Sequence, residues 1–311
     1  MGEGGLAAGT LYVVATPIGN LADITLRALE VLRAVPLIAA EDTRHSRRLL
    51  DRHAIETRQV SYHARSAPAR LEALLTHLRG GADLALITDA GTPGVSDPGA
   101  DLVAAWAAEG GRVVPVPGAS AVLAAVVAAG VAGPRWTFEG FLPRAGRDRR
   151  ERLAAIAADD RGAVIYESPH RVGATLRDLA AVCGAERAGA VCRELTKIHE
   201  QIVRGTLADL VAAVADGTIP ARGEFVLVVG MDRPDGSGRR PGGRSALAGL
   251  DADEALDTAR AEVERLVGEG SARGDAARRV AAETGIARRR LYGVERPIPV
   301  DRHGPTATGD D

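Results

Sequence analysis

Thiols and aromatic rings are the scarcest features of this 311-residue chain. Cys183 and Cys192 are its only cysteines. Two thiols exclude a disulfide framework and a four-cysteine zinc site, and they suit a reducing compartment. With two Trp, four Tyr and three Phe, the core must be filled by Ala, Val and Leu, and few rings are available for base stacking. A dominant charge is missing too: 39 Lys and Arg against 41 Asp and Glu leave a net charge of −2. Any surface for a polyanion is therefore local. There is no charged start followed by an apolar signal core, and no charge-free run long enough to cross a bilayer. The chain reads as cytoplasmic. It also lacks G-x-x-x-x-G-K-[ST], and no G-x-G-x-x-G opens the first helix. "GASAV" lacks the second glycine of a nucleophile elbow, and His199–Glu200 has no second histidine four residues on. Neither a nucleotide-phosphate loop nor a metal site is expected.

What is present is an alternation of strands and helices. "TLYVVAT" (10–16), "PLIAA" (36–40), "LALIT" (84–88) and "RVVPVP" (112–117) read as short buried strands. Helical patterns at 24–35, 44–53, 69–80 and 100–110 separate them. That order predicts a parallel or mostly parallel α/β sheet. A second cycle starts with a helix at 119–130 and continues with strands at 163–167, 187–195 and 224–230. Between the last two, 200–214 reads as strand, turn and helix. The reading gives an α/β domain over 10–117, a second over 118–230 and a flexible Gly/Pro/Ser/Arg linker over 231–252. A small helical module over 253–293 and a disordered tail over 294–311 complete it.

Three loops carry unusual backbone chemistry. "DAGTPGVSDPG" (89–99) holds three glycines and two prolines directly after a strand. Glycine admits positive φ and close approach of a ligand to the main chain, while proline stiffens the loop. A surface crossing explains such a loop, but its length and uncharged character favour a ligand loop. "ATPIGNL" (15–21) and "VPVPGASAV" (114–122) are built alike, with turn chemistry sufficient for the first. Helix capping is sufficient for Ser120 in the second. In "EDTRHSRR" (41–48), Asp42 and Thr43 are good caps, and Arg44, His45, Arg47 and Arg48 form either a phosphate-binding edge or a solvated helix face. "RAGRDRRER" (144–152) has five arginines against two acids, and 271–292 has six against two. Pro169 of "YESPHRV" is expected at the first helical position, and Arg193, Glu194, Thr196 and Lys197 of "CRELTKIHE" along one extended stretch.

"LYVVATPIGNLADITLRALEVL", "AEDTRHSRRLL", "LITDAGTPGVSDPG", "VPVPGASA", "FEGFLPR", "YESPHRV" and "CRELTKIHEQIVRGTL" occur in that order. Together they resemble the ribosomal RNA small subunit methyltransferase I family, within the tetrapyrrole-methylase-like S-adenosylmethionine enzymes. The resemblance runs through residues 10–230, and "GDAARRVAAETGIARRRLY" resembles the family's C-terminal module. The long linker before that module departs from the pattern. The resemblance implies a two-domain tetrapyrrole-methylase-like fold with the cofactor in the cleft between domains, usually as a homodimer. It implies methyl transfer from S-adenosylmethionine to the ribose 2′-oxygen of a cytidine in the decoding region of 16S rRNA.

Carried over motif by motif, the implied cofactor contacts are Pro17, Thr92, Gly94, Val95, Ser96, Ser120, Ala121, Ser168, Gly223, Glu224 and Phe225. The implied RNA contacts are Arg44, Arg144, Arg171, Arg193, Lys197, Arg288 and Arg289, with 16S rRNA or the small ribosomal subunit as partner and no metal. The reaction needs a group to assist loss of the hydroxyl proton, for which Asp23, Asp42, Asp89, His170 and Lys197 are candidates. Two other readings stay open: a tetrapyrrole or other small acceptor, which the arginine patches disfavour, and a non-catalytic RNA-binding factor, which the intact loops disfavour.

Overall fold

All four side chains of Leu84–Ile87 are buried. Successive strand residues point to opposite faces, so Leu84 and Leu86 enter one core and Ala85 and Ile87 another. A strand apolar on both faces belongs in the middle of a sheet covered on both sides. The structure, a computed structural model, describes residues 8–66, 68–231, 252–284, 286 and 288–291. They fall in two compact units, one within 1–241 and the other within 242–311.

The first unit opens with β1 (Thr10–Val14), β2 (Leu37–Ala40), β3 (Gln59–Ser61), β4 (Leu84–Ile87) and β5 (Arg112–Val116). They form one wholly parallel sheet in the order β3-β2-β4-β1-β5. Parallel neighbours require crossovers, here α1 (Leu26–Ala34), α2 (Thr43–Arg52), α3 (Pro68–Arg79) and α4 (Ala100–Ala108). Leu29 and Leu32 of α1 and Leu50 of α2 pack on one face. Leu74 and Leu78 of α3, with Leu102 and Trp106 of α4, pack on the other. β1 and β4 are neighbours, yet the chain leaves them toward helices on opposite faces. Such divergence opens a crevice beyond the carboxyl ends of the strands, where ligands of open α/β sheets bind.

A second sheet follows, built from β6 (Trp136–Phe141), β7 (Gly162–Glu167), β8 (Ala188–Arg193), β9 (Gln201–Thr206) and β10 (Phe225–Val229), in the order β6-β7-β10-β8-β9. Here only β6 and β7 are parallel, and every other pairing is antiparallel. The mostly parallel expectation therefore holds for the first sheet alone. The seven residues between β8 and β9 are too few for a crossover, which takes a dozen or more. α6 (Gly146–Ala158), α7 (Val172–Cys183) and α8 (Leu207–Ala215) cover one face, through Leu153, Leu176 and Leu210. α5 (Ala121–Ala129) covers the other, through Val122 and Ala125. Ile18, from the loop after β1, enters that α5 core and ties the two sheets together.

The second unit contains α9 (Ala252–Gly268), α10 (Arg273–Thr284) and α11 (Arg288–Leu291). They share a core of Leu256, Val263, Leu266, Ala277, Val280 and Leu291. The expected linker, apart from Met231 and Ala252, and the expected disordered tail lie outside the described residues. Among the described residues, no helix is long and apolar enough to cross a membrane.

Candidate active site

The loops after β1 and β4 are laced together. Thr16 N–H donates to the Gly91 carbonyl at 2.8 Å and Gly91 N–H returns a bond to the Thr16 carbonyl at 3.1 Å. The Thr16 hydroxyl adds a bond to the Thr88 carbonyl at 3.0 Å. The 89–99 loop turns through left-handed backbone at Gly91, Gly94, Ser96 and Gly99. At Gly99, where φ is +116°, a Cβ would lie 2.5 Å from Leu86 Cδ2. Only glycine fits where the loop closes against β4 to start α4. Ser96, with φ of +62°, adopts this backbone despite its Cβ, which costs about 1–2 kcal/mol.

The second sheet supplies the opposite wall. Ser120 caps α5, its hydroxyl accepting from Leu123 N–H at 3.4 Å. Glu167, buried at the end of β7, accepts from Ser168 N–H at 2.8 Å and from the Thr175 hydroxyl at 2.6 Å. Those bonds fix the turn at Ser168. Pro169 is not the first helical residue as expected. α7 starts at Val172, because the turn is held by Glu167 and by Arg171 and Val172 N–H groups on the Ser168 carbonyl. "RELTK" is not extended either: Glu194 and Thr196 have φ of +51° and +66°. Glu194 N–H bonds the Glu224 carbonyl, and Lys197 N–H the Glu194 carbonyl.

Between these walls lies a cavity of about 370 Å³. Of the residues expected at a cofactor, Thr92, Val95, Ser96, Ser120, Ala121, Ser168, Gly223, Glu224 and Phe225 line it. Pro17 and Gly94 do not; Pro17 lines a neighbouring cavity of about 250 Å³ instead. Sequence reasoning missed Ile18, Asp97, Phe141, Tyr166 and Cys192, all of which line the larger space. No Lys, Arg or His is on that lining, whereas Asp97, Glu167 and Glu224 are. Burial, then Glu41 and Asp89, push Asp97 up to about 6. Burial and the Asp97 charge raise Tyr166 to about 12. Burial raises the Cys192 thiol to about 11, so it is neither ionised nor nucleophilic near neutral pH.

The two cavities share Ile18, Ala90 and Glu224. The smaller is also lined by His45, Arg48, Asp89 and Lys197. Lys197 Nζ donates to Glu194 Oε1 at 3.0 Å and to Glu224 Oε2 at 2.8 Å. Partial burial opposes its charge, but the two carboxylates outweigh that and raise its pKa. Its stem packs on Gly19, where a Cβ would meet Lys197 Cγ at 2.5 Å. Asp42 caps α2, and hydrogen bonds from Arg44 hold it at about 2. Asp23 sits on a short 3-10 turn at Leu21–Asp23. His170 is exposed, and neither Asp23 nor His170 lines either cavity. Of the five sequence candidates, the two cavities bring together Asp89 and Lys197. Among the described residues, no group of His, Cys, Asp and Glu is placed to hold a metal ion.

Comparison with known proteins agrees with this architecture. The tetrapyrrole (corrin/porphyrin) methylase family model matches residues 10–211. A ribosomal RNA small subunit methyltransferase I from Synechocystis sp. is 44% identical over 293 residues, covering 94% of this chain and 99% of the relative. The chain belongs to the ribosomal RNA small subunit methyltransferase I family. Its counterpart in Pseudomonas aeruginosa is 49% identical over 232 residues, 74% of this chain and 82% of that one. The fold is shared more widely. Uroporphyrin-III C-methyltransferase from Thermus thermophilus, solved with S-adenosyl homocysteine, superposes with a TM-score of 0.51 at 19% identity, covering 71% of this chain and 97% of that one.

In this member of the methyltransferase I family the arginines divide into two kinds. Arg171 and Arg193, expected at RNA, are turned inward. Arg171 donates to the carbonyls of Leu142 and Pro143. Arg193, 8% exposed, donates to those of Arg222 and His199. Within 144–152, Arg149 is buried against Asp178, Arg147 pairs with Glu151 and Arg152 with Glu139. Arg144 and Arg150 are exposed and enter no ion pair with a described residue. Arg44 is exposed although bonded to Asp42. Arg288 and Arg289 lie on α11, with Arg288 exposed.

Proposed function

We propose that this chain transfers a methyl group from S-adenosylmethionine to the ribose 2′-oxygen of a cytidine in the decoding region of 16S rRNA. The observation that carries the reading is the charge of the larger cavity: three carboxylates and no cationic side chain on its lining. Such a lining repels phosphate and suits a ligand whose reactive centre is positive. The rings of Phe141 and Tyr166, 5.5 Å apart between centroids, favour a cation over a neutral ligand. The first turn of α5 offers main-chain N–H groups at Ser120–Ala121 to a carboxylate. The residues present therefore fit S-adenosylmethionine. When bound, it supplies an electrophilic methyl group on a positive sulfur.

Thr92, Val95 and Ser96 on one wall, and Ser168, Gly223, Glu224 and Phe225 on the other, would hold it. A water-poor cleft favours a reaction in which opposite charges cancel, and positioning alone can contribute about 7–11 kcal/mol in the best cases. No metal is needed. The smaller cavity, with His45, Arg48 and Lys197 at its wall, adjoins the first and is suited to a nucleotide with its phosphate. Exposed Arg44 and Arg144 of the first unit are further candidates for phosphate contact, and the α11 arginines are candidates on the second; Arg171 and Arg193, committed to carbonyls, are not. A homodimer belongs to the same reading. Leu123 and Val127, one turn apart on α5, are exposed apolar side chains, and light scattering reads the state directly.

The test is methylation of small ribosomal subunits with labelled S-adenosylmethionine, followed by mass mapping of the modified ribose. A label on one decoding-region cytidine supports the reading. Label on a base, or on a tetrapyrrole offered instead, overturns it. Calorimetry with S-adenosylmethionine separately rejects a cleft that has lost its ligand.

A further inference from the structure

We propose that Asp97, on the wall of the larger cavity, is the proton acceptor for the hydroxyl that receives the methyl group. The identity of that hydroxyl rests on the preceding reading; the role of Asp97 rests on its own surroundings. The residue follows Ser96, which holds left-handed backbone without being glycine, and precedes Pro98 and the left-handed Gly99. Strain of this kind persists where the fold over-determines a conformation, and it clusters at working sites. Here it places a carboxylate on the wall of the cavity that Tyr166 also lines, and the Asp97 charge helps raise the Tyr166 hydroxyl.

What faces Asp97 is as informative as where it sits. The charged groups that act on it are Glu41, after β2, and Asp89, after β4, both acidic. From the second sheet and its connections, the titratable groups on the same cavity wall are Tyr166, Glu167, Cys192 and Glu224, none of them cationic. No basic side chain pairs with Asp97 among the described residues. Half-burial and two like charges outweigh the Thr88 hydroxyl, which acts the other way, and keep its affinity for a proton well above that of an ordinary aspartate. A general base works best with a pKa near the operating pH.

The neighbouring acids and bases are disqualified on physical grounds. Asp42 is held at about 2. The bonds from Glu224 N–H and Lys197 outweigh partial burial and lower Glu194. Glu167 is taken up by Ser168 N–H and the Thr175 hydroxyl. Lys197 stays protonated between two carboxylates. Asp89 has a carboxylate oxygen engaged by Asp42 N–H at 3.2 Å.

In the step itself, Asp97 takes the hydroxyl proton as the O–H bond breaks. The oxygen lone pair forms the new bond to the methyl carbon, and the carbon–sulfur pair departs on sulfur. Asp97 then returns its proton to water.

The experiment uses the full chain and the Asp97→Asn and Asp97→Ser variants. Carboxyl carbon NMR of the wild type should show one aspartate titrating near pH 6, a resonance absent from D97N. Calorimetry should show S-adenosylmethionine affinity falling by no more than about tenfold in both variants, since Glu167 and Glu224 remain on the lining. Single-turnover methylation of small subunits at saturating S-adenosylmethionine should fall at least about 100-fold at pH 7.5, the low end for general-base loss. The wild-type rate should rise about tenfold per pH unit below 6 and level above it, a limb both variants lose. A single-turnover rate within threefold of wild type, a limb kept in D97N, or a loss confined to S-adenosylmethionine affinity overturns the assignment. A wild type that binds no S-adenosylmethionine and labels no subunit overturns the preceding reading instead.

Discussion

Arg149 donates to Asp178, to the Thr175 hydroxyl and to the Pro143 carbonyl from a buried position, while Arg144, five residues earlier, is exposed. The same residue type thus does two jobs, and substitution separates them. Arg149→Ala leaves the Thr175 and Pro143 acceptors short of a donor and should cost about 2 kcal/mol in chemical denaturation. That is below the usual price of a broken buried pair because Asp178 still reaches water. Arg144→Ala should change stability by less than about 0.5 kcal/mol but weaken RNA binding at every sequence and reduce the salt slope by about 1. Asp97 gives a further prediction with a defined sign. Its folded pKa of about 6 exceeds the ordinary 3.8. The folded state therefore loses stability as pH rises through that window, as Asp97 becomes charged beside Glu41 and Asp89. Asp97→Asn should match wild type in Tm at pH 4 and exceed it by about 2–4 °C at pH 8, equivalent to about 1 kcal/mol after solvent screening. A Tm difference independent of pH would contradict the raised pKa. At this scale the sequence was legible for main-chain roles: Asp42 and Ser120 do cap their helices. It was not legible for Asp97, Arg171 or Arg193, because whether a charged side chain faces a cavity, a carbonyl or water depends on neighbours far along the chain.

The elements of the first sheet are those the hydrophobic pattern announces, since parallel strands buried on both faces read as unbroken apolar runs. β6 and α6 escaped that reading, and α7 was announced only by an expected start at Pro169. β6 carries a register shift between Phe138 and Gly140, so its sequence shows neither a continuous apolar run nor clean alternation. α6 begins with a run of arginines that obscures its inward stripe of Arg149, Leu153 and Ile156. The connections are where the site is made, and Gly223 is an exacting position among them. At φ of +90° a Cβ would fall 2.6 Å from Glu194 Cδ. Gly223→Ala would have to displace Glu194, and with it the bond from Glu224 N–H and the ion pair with Lys197. Stability should fall by about 2–3 kcal/mol from strain and the lost bonds together. S-adenosylmethionine affinity should drop at least about tenfold, 1.4 kcal/mol, because the wall formed by Gly223–Phe225 is shared with the larger cavity. Denaturation and calorimetry on the same variant read both effects; unchanged affinity with lowered stability would show that the clamp supports the fold alone.

Across the whole molecule, stability and substrate reach are assigned to different parts. The first unit has cores on both faces of both sheets and holds both cavities. The second has a separate core drawn from α9, α10 and α11. Its surface is stitched by Arg273–Glu264 and Arg278–Asp275 pairs, exposed contacts that each contribute about 0–1 kcal/mol. A three-helix core of that size is marginal on its own terms. Calorimetric unfolding should accordingly show a small early transition for the second unit ahead of the main one. Truncation after Pro241 should remove the early transition, leave the main Tm within about 2 °C and preserve S-adenosylmethionine affinity. If the arginines of α10 and α11 contact phosphates, RNA affinity should fall in the same variant, with a shallower salt dependence. If truncation leaves RNA affinity and its salt slope unchanged, those arginines serve solubility, and recognition belongs to the surface around Arg44 and Arg144. The division follows from charge as much as from packing. A cavity lined by three carboxylates and no cationic side chain repels a polyanion, so on the proposed reading the groups that grip RNA stand outside it.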